Sequence, residues 1–162
     1  MNTQPTWDQR EKASCLHLWT DYFHTLAREL FGQDGTHANM LFFFDGERGL
    51  ISADLIPPNV KHNQVNASIK NAIHEHNLYG VILIGESWTY SIKDKDHTAC
   101  QLLNGEMSVS DLRPEDKREA LIVQMENLDG DCIVYLNEIV RETAGIYLGE
   151  STKTSCGQRS WF

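Results

Sequence analysis

Residues 78–92 read LYGVILIGESWTYSI, and the change of character halfway along this stretch decides the fold. Val81, Ile82, Leu83 and Ile84 form an unbroken apolar run, the pattern of a strand covered on both faces. Beyond Glu86 the pattern alternates, with Trp88, Tyr90 and Ile92 set against Ser87, Thr89 and Ser91, as in a strand with one wet face. The stretch is therefore predicted to be the central strand of a mixed domain, buried on both sides at one end and on one side at the other. On a regular pleat Ile82, Ile84, Glu86, Trp88, Tyr90 and Ile92 share a face, and Gly85, Ser87, Thr89 and Ser91 share the other. Glu86 thereby falls in an apolar row.

Upstream of this strand, residues 59–76 place Val65, Ile69, Ala72, Ile73 and His76 on one helical face, with Asn77 and Gly80 as stop signals. Before that helix, residues 40–44 and 50–56 read as two strands joined by the turn Asp45-Gly46-Glu47-Arg48-Gly49, and Pro57-Pro58 stops the second. The first ordered element is predicted to be a helix over residues 7–31. Thr6 and Gln9 have capping-box spacing, and Cys15, Leu16, Trp19, Tyr22, Phe23, Leu26 and Leu30 make a broad apolar stripe.

Downstream lies a polar connection, residues 93–117, too long for a tight turn and a candidate functional loop. Residues 119–127 and 131–141 then form a hairpin. Taking Asp129-Gly130 as a two-residue turn pairs Met125 with Val134 and Val123 with Leu136, so that Leu121, Val123, Met125, Val134 and Leu136 line one face. A short last strand over residues 145–148 and a tail from residue 151 complete the chain.

The fold class is therefore α+β: one domain over residues 1–150 with a tail at 151–162, built on a largely antiparallel sheet of five to six strands and two main helices. Roadblock-type and profilin-like domains share this order of elements. At 162 residues the chain buries a sizeable core without staples.

Composition narrows the function classes. Cys15, Cys100, Cys132 and Cys156 contain no CxxC pair, which argues for free thiols and against a zinc knuckle or a disulfide framework. A net charge of -9 disfavours a phosphate-backbone binder, which needs clustered Lys and Arg. Residues 106–150 hold eleven acids against four bases, whereas the last twelve residues carry Lys153 and Arg159 and no acid. That asymmetry suggests contacts with a protein, or with a second copy in a homodimer, rather than with nucleic acid. No charged-then-apolar signal pattern opens the chain, and no apolar run approaches the roughly 20 residues of a membrane span, so a cytoplasmic location and no membrane contact are expected.

Few residues are candidates for chemistry. Gly85-Glu86-Ser87-Trp88-Thr89 begins like a nucleophile elbow but lacks the second glycine. His74 and His76 point to nearly opposite sides of a helix, so no metal or cofactor is expected. A carboxylate between Ile84 and Trp88 would be desolvated, which suits Glu86 to acid–base work or to a buried pair with Arg113 or Arg118; a bulge at Gly85 would instead turn it outward. Ser87 and His97 are its candidate catalytic companions. Candidate binding residues are Trp88, Tyr90, Arg113 and the terminal pair Trp161 and Phe162, two large aromatics that something should cover. The expected function is a cytoplasmic binding or regulatory module acting through protein contacts, with a small hydrolase or transferase using Glu86 as the alternative.

Glu86-Ser87-Trp88 ending a hydrophobic strand, Arg113-Pro114-Glu115, and Arg118-Glu119-Ala120-Leu121-Ile122-Val123 opening a hairpin together resemble small uncharacterised bacterial and mobile-element proteins. The resemblance covers about a third of the chain. It implies the domain boundaries and no particular activity.

Overall fold

The structure is a computed structural model that describes residues 3–89, 118–155 and 160–162. Tyr90, His97, Arg113 and the connection 93–117 lie outside the described residues. A six-stranded antiparallel sheet carries one helix on each face. Its strands are β1 (Met40–Asp45), β2 (Gly49–Leu55), β3 (Gly80–Thr89), β4 (Arg118–Asn127), β5 (Cys132–Glu142) and β6 (Gly145–Ser155), in the spatial order β2-β1-β3-β4-β5-β6. The helices are α1 (Lys12–Asp34) and α2 (His62–His76).

The pleat of β3 divides the core as its sequence predicts. Ile82 and Ile84 face α1, in one cluster with Leu16, Trp19, Phe23, Phe31, Phe42 and Val123. Val81 and Leu83 face α2, with Leu41, Phe43 and Ile69. The outer end of β3, from Glu86 to Thr89, is exposed or only half-buried.

Four expectations are corrected. Helix α1 begins at Lys12, behind a 3-10 turn at Gln9–Glu11 capped by Asp8, whose Oδ1 accepts the Arg10 N–H at 2.9 Å; there is no Thr6–Gln9 box. Trp7 is instead held on the β1–β2 turn, where its indole N–H donates to Gly46 O at 3.0 Å and its ring covers Gly49. Helix α2 likewise begins at His62, three residues later than predicted, and His76 is exposed.

The β4–β5 register is shifted by one residue, pairing Met125 with Ile133 and Val123 with Tyr135. The loop has three residues, Leu128-Asp129-Gly130, with Gly130 at φ +103. Asn127 closes it by accepting the Asp131 N–H at 2.9 Å, and Leu128 N–H is drawn off to Tyr79 O at 2.8 Å. One residue of slip exchanges the two faces of a strand, so Ile133, Tyr135 and Asn137 face α1 and Val134 and Leu136 do not. The last strand is also longer than predicted: β6 runs through Ser155.

Candidate functional site

Pro57-Pro58 ends β2, and α2 starts only at His62, so its first turn stands off the sheet. Between that turn and β3–β4 lies a cleft of about 180 Å³. Its walls are Ile56, Val60, Val65, Leu83 and Ile122, and Asn39, His62, Ser87 and Gln124 bring polar groups to its edge. Gly85 lines it too, and a side chain there would displace Asn39. A Cβ would stand 2.5 Å from Asn39 Oδ1, which accepts the Glu86 N–H at 3.2 Å.

The β3–β4 register runs without a shift from Gly80–Asn127 to Thr89–Arg118, so there is no bulge at Gly85. Glu86 therefore belongs to the α1 face, while its neighbour Ser87 belongs to the cleft face. The Thr36 hydroxyl donates to Glu86 Oε2 at 3.0 Å, whereas Glu86 Oε1 is buried with no hydrogen-bond partner among the described residues. The expected pairing with Arg118 is not made, because Arg118 bonds Glu138 at 2.9 Å. Arg141 holds Glu119; its pKa is raised chiefly by that hydrogen bond, with a smaller contribution from Glu86. Ser87 is exposed, its Oγ donating to Trp88 O at 3.4 Å, and Trp88 is 41% exposed at the strand end. Glu86 and Ser87 both border the cleft, but their side chains leave the strand on opposite faces.

A polar seam that sequence reasoning missed crosses the α1 face. Register places Glu86, Leu121, Asn137 and Ser151 in one transverse row of β3, β4, β5 and β6. The wholly buried Asn137 donates to Leu121 O at 3.0 Å, and its Oδ1 takes Arg28 Nη1 at 2.6 Å and His24 Nε2 at 2.8 Å. Ser151 Oγ lies 3.2 Å from the same His24 nitrogen, and the imidazole stacks on Tyr135 with centroids 3.9 Å apart. Burial holds the His24 pKa below its ordinary value, partly offset by the Asn137 hydrogen bond. Burial and then the bond to Asp21 raise that of Tyr135. The sequence signal was there: Thr20, His24 and Arg28 recur at i, i+4 beside the apolar stripe.

The terminal aromatics are covered by their own chain. Trp161 is 6% exposed and joins the α2-side cluster, with Phe162 packed against it. The wholly buried Glu126 carboxylate receives the main-chain N–H groups of Ser160 and Trp161, each at 2.9 Å, and Gln124 Nε2 at 2.8 Å. The Trp161 indole N–H donates to Asn66 Oδ1 at 3.0 Å.

Among the described residues no group of three His, Cys, Asp or Glu could hold a metal ion, and no helix is long and apolar enough to cross a membrane. No curated protein and no solved structure matches the chain. A family model does, and its span takes in α1, the whole sheet and the terminal Trp161-Phe162 alike: that of bacteriophage lambda protein ea47, over residues 3–162. The expected kinship with mobile-element proteins holds at that level, and the chain belongs to the bacteriophage lambda ea47 family.

Proposed function

We propose that this phage-family protein is a binding module that acts in the host cytoplasm by contact with another protein. The observation that carries the reading is the cleft under the first turn of α2: apolar walls, a glycine floor and a few polar groups at the rim, open beside the exposed Val60. Concave apolar sites with sparse polar groups are where proteins take ligands and partner side chains. The net charge of -9 supports the same reading, because it disfavours nucleic acid and steers basic or neutral partners.

Selection of peptides from a random library on the immobilised protein tests it. Enriched peptides are expected to compete with one another and to lose about tenfold in affinity on Val60→Glu, a substitution at an exposed position. Binders indifferent to that change remove the cleft as the contact. Light scattering of the free protein separates a homodimer from contact with a different chain.

A second reading, a small hydrolase or transferase using Glu86, rests on its buried and partnerless Oε1, the kind of uncompensated group found at reaction centres. The polar groups expected to join it fall on residues 93–117, outside the described residues.

A further inference from the structure

The seat of Trp161 and the cleft are neighbouring stations of one groove. On α2, Asn66 and Ile69 serve Trp161, and His62 and Val65, each four residues earlier, serve the cleft. That is one helical turn, about 5.4 Å. On β4, Glu126 serves Trp161 and Ile122 serves the cleft, with Gln124 between them. The three residues share one face of the strand, and Glu126 and Ile122, four residues apart, are separated by about 13 Å. Val65 is common to both, lining the cleft and packing in the cluster that contains Trp161. Gln124 is common as well: it borders the cleft and donates to the carboxylate that holds the C-terminal main chain.

The filled station shows what this groove accepts: an aromatic ring between helix and sheet, with its ring N–H and main-chain N–H groups read by side-chain oxygens. The cleft has room for the same. At 180 Å³ it matches the cavity of about 150 Å³ that takes a single benzene ring. The Ser87 hydroxyl is at hand for the incoming main chain, its own bond to Trp88 O being long at 3.4 Å.

We infer that the cleft is a seat for an aromatic side chain presented by a second protein, docked one helical turn along from this chain's own Trp161. This rests on the binding-module reading and names the partner's anchor. The source is a protein segment rather than a free aromatic, because the neighbouring station binds main chain and ring together and the cleft continues it.

The test uses the full-length chain with labelled Val, Leu and Ile methyls and three probes: a short blocked peptide containing one tryptophan, the same peptide with alanine in its place, and free indole. The tryptophan peptide is expected to shift the methyls of Val60, Val65, Leu83 and Ile122, the alanine peptide to leave them unmoved, and indole to bind about tenfold more weakly than the tryptophan peptide. Val60→Glu, with an unchanged melting temperature as the check on folding, is expected to weaken the tryptophan peptide about tenfold. Unmoved methyls overturn the inference. So does equal binding of the alanine peptide, and indole binding as tightly as the tryptophan peptide would make the cleft a small-molecule site. Library-selected binders that map to the cleft without an aromatic residue overturn this inference alone and leave the binding module standing.

Discussion

Glu126, with none of its surface exposed, accepts the main-chain N–H of Trp161 at 2.9 Å across 35 residues of sequence. A buried carboxylate persists only when donors replace its water, and here Ser160, Trp161 and Gln124 supply them. The C-terminus is therefore part of the fold. Glu126→Ala leaves two main-chain N–H groups unpaired and should cost about 3 kcal/mol, and Trp161→Ala should cost a similar amount by opening a cavity. Because the two residues act as one unit, the double variant should lose clearly less than the sum. Urea unfolding checks all three, and losses under about 0.5 kcal/mol would return the terminus to a frayed end.

Asn137 should be as intolerant. It makes two contacts from the sheet to α1, with Arg28 and His24, and one within the sheet, to Leu121 O, so Asn137→Leu fits the volume but orphans each partner. The expected loss is about 3 kcal/mol, mostly from the stranded guanidinium and carbonyl. Chemical denaturation measures it, and a neutral result would mean that these groups find water.

The same seam gives the protein a pH dependence. Burial keeps the folded-state His24 pKa below 6.5, so the unfolded chain takes up the proton first. Stability is fully present above pH 6.5 and declines as pH falls through that value. Asp131 is shifted in the same direction, lowered chiefly by its Asn127 bond, and its contribution is lost only as pH falls below about 3.8. Melting temperature should therefore drop between pH 7 and 5, and His24→Gln should flatten that slope. A wild-type profile already flat over this range would show that His24 protonates without cost.

Where a residue's neighbours in sequence decide its environment, the chain could be read. The double-sided burial of Val81–Ile84 and the wet end of β3 follow from local pattern alone. The β4–β5 register did not, because Asp129-Gly130 fits a two-residue turn, and the competing claims on Leu128 by Tyr79 O and on Asp131 by Asn127 are invisible before folding. That single slip hid Asn137, and with it the seam. Residues 151–155 read as tail because an edge strand exposed on both faces has no apolar alternation to show. The cleft needed tertiary structure altogether: its residues come from four separate segments, and only Gly85 hinted at a close approach.

Glu86 remains the residue whose substitution separates the two functional readings. One oxygen holds the Thr36 hydroxyl at 3.0 Å and the other is buried without a partner, so its charge is poorly compensated by the described residues. Glu86→Gln keeps an acceptor for Thr36 and removes the charge, and should leave stability unchanged or raise it by up to about 1 kcal/mol. A carboxylate serving the fold through a buried ion pair behaves oppositely, losing about 3 kcal/mol when its charge is removed. A thermal melt at pH 7 tells these apart. Unchanged or increased stability marks a group whose charge is not held for folding, which is the pattern expected of a reaction centre and directs an activity search to Glu86. A loss of about 2 kcal/mol or more assigns the charge to the fold and leaves the cleft as the site of function.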